Sequence, residues 1–340
     1  MTAEKLRVLV VGTGGLGRTW IRTLGECEDT EVAAMVDILP DVAAGVAGDF
    51  GLTGIYTGTD LDAALEEVRP DFVVDVTVPS AHRDVVVRSL EFGVPVLGEK
   101  PMADSLESAR EMVAASERTG KLYMVSQSRR YEANLVALKR LIEEETGTPG
   151  ILNCDFYIGA HFGEFRHGLI HILLLDMGVH LVDMARYLCG EEPVAVYCEE
   201  FNPPWSWHRG FSSATAIYEM TSGLRFTLRG SWCSEGRHTS WQGEWRAVGP
   251  NGSATWDGFG PPVAEIVTGT GDFISELETR VGRPETNMPE YFTGSLRDFI
   301  RALRTGSTPM GECHDNIKSL EMVFAAIDSA TRRERVSIGL

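Results

Sequence analysis

The sequence predicts an α/β chain in which a doubly wound parallel sheet is followed by an α+β domain with a mostly antiparallel sheet. Two observations predict this order. Over about the first 125 residues, apolar strand-like runs alternate with amphipathic helical stretches, which is the pattern of βαβ units. After that point, several strand-like runs follow one another with short turns between them. The expected domains are residues 1–126 and 127–340.

In the first domain, each predicted strand is a short apolar run and each predicted helix has apolar residues spaced to share one face. The strands are expected at Leu6–Val11, Glu31–Asp37, Ile55–Tyr56, Phe72–Thr77, Pro95–Leu97 and Leu122–Ser126. The helices are expected at Leu16–Leu24, Asp41–Phe50, Leu61–Val68, Ala81–Phe92 and Leu106–Thr119. Because a helix joins each pair of consecutive strands, the strands should run parallel.

The second domain has a different pattern of secondary structure, because turn residues rather than helices separate most of its strands. Its strands are expected at Ile151–Ile158, Val194–Glu200, Ser213–Glu219, Leu224–Ser234 and Trp241–Val248. Its helices are expected at Asn134–Glu145, Leu173–Leu188, Ser295–Arg304 and Asn316–Thr331. We interpret the Gly/Pro-rich segment 249–262 as loops within the sheet.

The composition excludes several classes of function. The 340 residues include 31 Lys and Arg against 49 Asp and Glu, a formal net charge of −18, which disfavours binding to nucleic acid or anionic membranes. No apolar stretch approaches the ~18–20 residues of a membrane span, and the N-terminus lacks the features of a signal peptide. The six cysteines are scattered without a CxxC pair, as in a protein with reduced thiols. We therefore expect a cytoplasmic protein.

A glycine-rich turn follows the first strand. Gly12-Thr-Gly-Gly-Leu-Gly17 is a GxGxxG pattern between a strand and a helix, the context in which this pattern binds a dinucleotide. Gly12 would make the turn, Gly14 would let the backbone approach a pyrophosphate, and Gly17 would let the helix pack on the strand. Gly15 and Leu16 complete the predicted cofactor-binding turn.

An acidic residue stands where the second strand ends. Asp37 lies 20 residues beyond Gly17, the position from which a carboxylate accepts hydrogen bonds from the adenosine ribose. The same carboxylate would repel a 2′-phosphate, and Ile38 follows it rather than a cation. The sequence therefore favours NAD over NADP, with Ile38 at the same site. Arg18 and Arg22 are close enough in sequence to keep NADP as an alternative.

Two more segments follow strands of the first domain, at Thr77–His82 and Gly98–Met102. Substrates and cofactors bind at the carboxyl ends of strands in such sheets. Lys100 precedes Pro101, which keeps it out of helical geometry and would project it from the edge of the sheet. Taken alone, Lys100 is either a catalytic cation or a surface lysine of a βα loop.

The predicted helix at Leu173–Leu188 carries a second group of polar residues. Asp176 and His180 are four residues apart and should share one helix face, with Asp183 on the same side. A carboxylate beside an imidazole orients it and raises its basicity, as deprotonating a hydroxyl requires. Taken alone, the same spacing also fits an ion pair on a helix surface.

Together these residues resemble the Gfo/Idh/MocA family of glucose–fructose oxidoreductase and inositol dehydrogenase. The resemblance rests on the glycine motif, Glu99-Lys100-Pro101, Ser128-Arg-Arg-Tyr131 and Asp176-x-Gly-x-His180-x-x-Asp183. It implies an N-terminal Rossmann domain and a C-terminal domain with an open-faced sheet, with the substrate between them. It also implies a homodimer or homotetramer built through that sheet.

The resemblance implies roles for three residues. His180 would take the proton from a substrate hydroxyl, Lys100 would hydrogen-bond the reacting oxygen, and Asp176 would position the substrate or the base. The positions matching those that line the cofactor in relatives are Thr77, Val78, Pro79, His82, Glu99 and Lys100.

The chain departs from the family pattern at two places. Ser128 replaces an Asn common near the nicotinamide, and Ile170-His-Ile172 replaces a glycine cluster before the aspartate. The further candidates for substrate binding are Arg130, His161, His171 and Trp241. His167 and His171 have ligand-like spacing, but without a convincing third ligand we expect no metal.

These observations predict an NAD-dependent dehydrogenase that acts on a secondary hydroxyl of a sugar, inositol or related polyol. One alternative is a sugar-processing enzyme whose tightly bound NAD is reduced and reoxidised internally, as in an aldose–aldose oxidoreductase or a redox glycosidase. A second alternative is a homologue that senses NAD and a sugar without catalysis. The presence of Lys100, Asp176 and His180 argues against the second.

Overall fold

The computed structural model describes residues 4–162, 166, 168–271 and 273–339. Its strands are β1 (Leu6–Val11), β2 (Thr30–Val36), β3 (Tyr56–Gly58), β4 (Phe72–Asp75), β5 (Val96–Gly98), β6 (Tyr123–Val125), β7 (Ile151–Tyr157), β8 (Pro193–Phe201), β9 (Ser213–Met220), β10 (Arg225–Ser231), β11 (Glu244–Gly249), β12 (Gly252–Trp256), β13 (Val263–Gly269), β14 (Glu276–Val281) and β15 (Val336–Ser337). Its helices are α1 (Gly15–Glu26), α2 (Val42–Asp49), α3 (Leu61–Val68), α4 (Pro79–Glu91), α5 (Leu106–Thr119), α6 (Ala133–Leu141), α7 (Val179–Cys189), α8 (Tyr291–Thr305) and α9 (Cys313–Arg332). One π-helical turn, Ile142–Thr146, follows α6, and another, Leu173–Gly178, precedes α7.

The chain divides into two units, Met1–Ser128 with Pro289–Ile317, and Arg129–Met288 with Lys318–Leu340. The first unit contains a six-stranded sheet in the order β3-β2-β1-β4-β5-β6. All its strand pairs are parallel. This is the doubly wound order in which the chain reverses direction beside β1, and it confirms the predicted Rossmann fold.

The first unit also includes a late segment that the sequence prediction assigned to the second domain. Residues 289–317 belong to it in the structure. The reason is packing: Phe292 of α8 meets Trp20 of α1 edge-to-face at 5.3 Å, and Phe299 lies against Phe72 of β4 at 5.2 Å. Burying these aromatic faces on a distant part of the chain is favourable, and no local sequence pattern reveals it.

The second unit contains a nine-stranded sheet in the order β14-β13-β12-β11-β7-β10-β9-β8-β15. Its pairs are antiparallel except for β7 with β10, which run parallel. Its strands alternate, so that residues such as Leu152, Phe226 and Ala247 are buried in one core with apolar residues of α6 and α7. The intervening residues leave the other face of the sheet open. The prediction of a mostly antiparallel, open-faced sheet is confirmed.

Two details of this sheet differ from the prediction. The segment interpreted as loops contains β12, which pairs with β11 across a two-residue turn at Pro250 and Asn251. Strands β13 and β14, which complete this end of the sheet, are also absent from the prediction. The edge strand β14 is exposed along its whole length and so lacks apolar alternation.

Within the described ranges, none of the helices has the length and hydropathy to cross a membrane. All six cysteines have free thiols.

Candidate functional site

In the glycine turn after β1, two positions have no room for a side chain. Gly12 has φ +90°, and a Cβ there would lie 2.6 Å from the carbonyl oxygen of Val76, so only glycine fits. A Cβ on Gly17 would lie 2.2 Å from the carbonyl oxygen of Gly12, so α1 packs directly on the turn. Gly14 has open space around its Cα. The backbone is therefore accessible at the N-terminus of α1, where helix N–H groups attract phosphate.

The carboxylate of Asp37 is held by its neighbours. Its Oδ2 accepts hydrogen bonds from the Thr13 backbone N–H at 2.9 Å and from the Thr13 hydroxyl at 2.8 Å, while Oδ1 accepts one from Leu39 N–H at 3.1 Å. Burial opposes ionisation of Asp37, but the hydrogen bonds from Thr13 and Leu39 outweigh it and lower its pKa. Asp37 is therefore an oriented carboxylate, suited to accepting hydrogen bonds from hydroxyls.

A cavity of about 690 Å³ lies in the first unit beside Asp37 and the glycine turn. It is lined at the carboxyl ends of β1, β2 and β4 by Gly12, Gly14, Asp37, Ile38, Thr77 and Val78, all predicted, and also by Val11, Val36, Thr59, Asp60, Leu61, Val76, Ala81, Asp84, Val85 and Arg88. Thr59 and Asp60 directly follow β3, the neighbour of β2, and this position at the end of a strand is the sequence signal that predicts them as lining residues. The lining residues of α4 could not be predicted from the sequence, because their place depends on how that helix packs.

His82 was predicted to line the cofactor, and the structure buries it beside Asp75. It is 1% exposed, and its Nδ1 lies 2.7 Å from Oδ2 of Asp75. The other oxygen of Asp75 accepts a hydrogen bond from the hydroxyl of Thr77 at 2.7 Å. Burial by itself would lower the pKa of His82, but the charge of Asp75 and the hydrogen bond to it raise that pKa. The first turn of α4 is thus tied to the end of β4 by a buried pair.

This pair should make stability depend on pH. Since the pKa of His82 is raised on folding, its stabilising effect is fully present below the unfolded value of about 6.5 and is lost as the pH rises through the folded-state pKa. We expect the unfolding free energy of wild type to exceed that of His82→Gln by more at mildly acidic than at alkaline pH, as urea titration would measure. Asp75→Asn should lose the same pH-dependent part, whereas pH-independent differences for both variants would contradict the coupling.

The Glu99-Lys100-Pro101 segment follows β5, and the side chain of its glutamate, predicted to line the cofactor, is buried. Glu99 is buried, with Oε1 accepting a hydrogen bond from the indole N–H of Trp20 at 2.8 Å and Oε2 one from Lys100 N–H at 3.1 Å. Burial raises the pKa of Glu99, against the lowering effect of Trp20 and Lys100. Glu99 therefore braces the loop from behind, while Lys100 itself is partly exposed. Pro79, also predicted, begins α4.

In the second unit, Asp176 and His180 lie on one continuous helical segment, formed by the π turn and α7. Oδ2 of Asp176 accepts a hydrogen bond from Nε of Arg166 at 3.1 Å. His180 lies in the first turn of α7 and is largely buried. π turns inside helices are frequent at functional sites, and this one places a carboxylate and an imidazole on the same short segment.

Arg130 was predicted to contact the substrate, and in the structure it forms an ion pair with Asp183. The guanidinium is 6% exposed and makes a bidentate pair with that carboxylate, at 2.7 and 2.6 Å. The hydroxyl of Ser319 donates to Asp183 Oδ1 at 2.7 Å. Such geometry is typical of a structural ion pair, and we assign Arg130 and Asp183 that role.

The remaining substrate candidates have different surroundings. His161 is exposed, stacks on Trp207 at 4.1 Å, and its Nε2 lies 2.9 Å from Glu235. Trp241 is 52% exposed and lies in a turn before β11, not in the strand predicted over Trp241–Val248. The reason is Gly243, whose φ of +80° ends the turn before the strand begins. His167 lies outside the described residues.

One group of possible metal ligands occurs within the described residues, at Glu312, Cys313 and His314. Burial and the hydrogen bond to Glu312 raise the pKa of the Cys313 thiol. A thiol must lose its proton to bind a metal, and these residues also stand at the positive end of α9. The chemistry there opposes cation binding.

Known families and proteins match both parts of the chain. The family model described as "Oxidoreductase family, NAD-binding Rossmann fold" matches residues 6–127, and the "GFO/IDH/MocA C-terminal domain" matches residues 135–255. An inositol 2-dehydrogenase of Rhizobium meliloti is 24% identical over 353 residues, covering 98% of this chain and 99% of the relative.

Two solved structures have the same fold. An oxidoreductase from Agrobacterium radiobacter, in complex with NAD+, L-tartaric acid and magnesium, has a TM-score of 0.85 and 21% identity, covering 98% of this chain and 99% of that one. An aldose–aldose oxidoreductase from Caulobacter crescentus, complexed with glycerol, has a TM-score of 0.83 and 21% identity, covering 98% of this chain and 100% of that one.

Proposed function

The chain belongs to the Gfo/Idh/MocA family of NAD-binding oxidoreductases, and from that premise we propose that it is an NAD-dependent dehydrogenase of polyols. The reaction transfers hydride between a secondary hydroxyl of a sugar, inositol or related polyol and C4 of the nicotinamide. The observation that carries the proposal is the ionised, oriented carboxylate of Asp37 in a cavity that also contains the glycine turn. It fits an adenosine ribose with two free hydroxyls.

The roles of the chain's own residues follow from their chemistry. NAD, when bound, supplies the hydride acceptor, and the first-unit cavity with its helix N-terminus suits its phosphates and ribose. We assign His180 the task of accepting the hydroxyl proton at its imidazole. Lys100 hydrogen-bonds the reacting oxygen and stabilises the negative charge that develops there. Asp176 orients the substrate or His180.

The first experiment is a panel assay that measures NADH formation by the purified protein with sugars, inositols and other polyols at mildly alkaline pH. NADH formation with one class of polyol supports the proposal. A panel without NADH formation overturns it. If the denatured protein then releases NAD, detected by mass spectrometry, an internal redox cycle explains the result. If no nucleotide is released, the non-catalytic alternative is favoured.

The choice of NAD over NADP depends on Asp37. In Asp37→Ser we expect kcat/KM with NAD to fall by about tenfold or more, because hydrogen bonds to a charged acceptor are lost. The NADP/NAD ratio of kcat/KM should rise, since the repulsion of a 2′-phosphate disappears. Asp60→Asn is the matched control, because it removes a charge from the same cavity away from the end of β2. An unchanged cofactor ratio in Asp37→Ser would contradict the assignment.

We also propose that the protein forms a homodimer or homotetramer through the open face of its nine-stranded sheet. Tyr197, Ile217 and Thr227 are opposed across β8, β9 and β10 in the middle of this face, and the first two are exposed. Exposed apolar residues on a broad sheet face mark an interaction surface. Light scattering after gel filtration should show a dimer or tetramer, and Ile217→Arg should reduce the oligomer mass. A wild-type monomer would refute the assembly.

A further inference from the structure

His171 and Glu200 form a polar pair in the second unit that no step above uses. Nδ1 of His171 lies 2.6 Å from Oε2 of Glu200 at the end of β8. The Glu200 side chain is 2% exposed, whereas that of His171 is 23% exposed. The carboxylate is thus buried behind the imidazole, and the imidazole is the member of the pair that solvent or a ligand can reach.

The pair determines which ring nitrogen is available. An ionised carboxylate only accepts hydrogen bonds, so it pairs with the form of the imidazole that carries a proton on Nδ1. Oε1 of Glu200 is buried and has no hydrogen-bond partner among the described residues. A buried carboxylate with so few partners depends on this imidazole for its stabilisation. The same residues give Nε2 of His171 no hydrogen bond, so this nitrogen is available to a ligand.

The backbone beneath His171 is held in place. Phe211 N–H donates to the carbonyl of Ile170 at 2.6 Å. A Cβ on Gly210 would lie 2.3 Å from the carbonyl oxygens of both Leu169 and Ile170. The loop before β9 therefore lies directly on the segment that carries His171, which limits movement of the ring.

His171 lies just before the proposed catalytic segment in the chain. The Leu175 N–H donates to the His171 carbonyl at 3.0 Å, and Leu173–Gly178 is π-helical. This hydrogen bond spans one helical turn from His171 to Leu175, and Asp176 is the next residue, so His171 lies about one turn before Asp176 along the chain. This is also the stretch where the sequence departs from the glycine cluster common in the family.

We propose that His171, oriented by Glu200, binds through Nε2 a hydroxyl of the polyol other than the one that is oxidised. A hydroxyl is the complementary ligand because it can donate to a neutral imidazole and accept from a protonated one. The substrate class is therefore a polyol with at least two free hydroxyls. This inference rests on the proposed function, because it concerns the substrate of the same reaction.

The test compares wild type with His171→Phe/Glu200→Leu, which removes Nε2 and the buried charge together, so that no carboxylate is left unpaired. We expect KM for the polyol identified in the panel assay to rise about tenfold or more, with kcat reduced much less. Deoxy analogues of that polyol, each lacking one hydroxyl, are then assayed. For the analogue lacking the bound hydroxyl, wild type and variant should have the same KM. His314→Phe, which removes an exposed histidine paired with carboxylates in the first unit, is the control and should match wild type.

Glu200→Gln is the second variant, because it keeps an oxygen acceptor for Nδ1 and removes only the charge. It should raise KM by a smaller factor, and in a His171→Phe background it should have no further effect on KM. A KM increase that is the same for every deoxy analogue would indicate a merely structural role and overturn the inference. An unchanged KM in the double variant would also overturn it. A wild-type protein without activity on any polyol would instead overturn the proposed function, and this inference with it.

Discussion

Lys100→Met is expected to lower turnover by about 100-fold or more while NAD binding changes little. The ammonium group is the one cation that we place at the reacting oxygen, and methionine keeps most of the length of the side chain without its charge or its hydrogen-bond donors. Glu99 keeps its hydrogen bonds from the indole of Trp20 and from the backbone N–H of residue 100, so the loop keeps these contacts in the variant. The measurement is kcat with the active polyol, together with the Kd of NAD from protein fluorescence.

Lys100→Arg is the matched variant, because it keeps the positive charge but changes its shape and position. Its turnover should lie between those of Lys100→Met and wild type. Near-wild-type turnover in Lys100→Met would refute the role assigned to Lys100. A parallel loss of NAD binding would instead indicate that Lys100 serves the cofactor.

Arg130→Met is expected to lower the free energy of unfolding by about 3–5 kcal/mol, since it leaves the carboxylate of Asp183 buried and uncompensated. Asp183 would retain the hydrogen bond from Ser319 and lose both bonds from the guanidinium. Urea unfolding measures the loss. Arg130→Met/Asp183→Leu should recover much of it, because removing both charges removes the desolvation cost as well.

Arg229→Met is the control for this experiment. Arg229 also makes a bidentate pair, with Asp155, but it lies on the open face of the sheet and its side chain is 54% exposed. Exposed pairs contribute at most about 1 kcal/mol. Equal losses in Arg130→Met and Arg229→Met would contradict the structural role of the buried pair.

Local pattern predicted the first unit well because its features are local. The run from β1 through Gly12 and α1 to Asp37 depends on residues within about 30 positions, and Gly12 and Gly17 in this run leave no room for a Cβ. The alternation of apolar strands with amphipathic helices likewise needs no knowledge of distant residues.

The direction in which a polar side chain faces is harder to predict from the sequence than the burial of an apolar one. His82, Glu99 and Arg130 are expected from the sequence to face a ligand, and in the structure each has a partner: Asp75, Trp20 and Asp183. A motif shows that such a residue stands at the carboxyl end of a strand or near a helix. It does not show whether the side chain points into the cavity or into the core.

The sequence by itself determined the fold class, the glycine turn, the acidic residue after β2 and the three residues proposed for catalysis. Only the tertiary structure decided that residues 289–317 join the first unit, that β12–β14 extend the sheet, and that Glu200 lies behind His171. The physical reason is the range of the interactions. Hydrophobic periodicity and turn chemistry act between near neighbours in the chain. The burial of an aromatic face or a carboxylate is compensated by whichever distant residue the folded chain brings beside it.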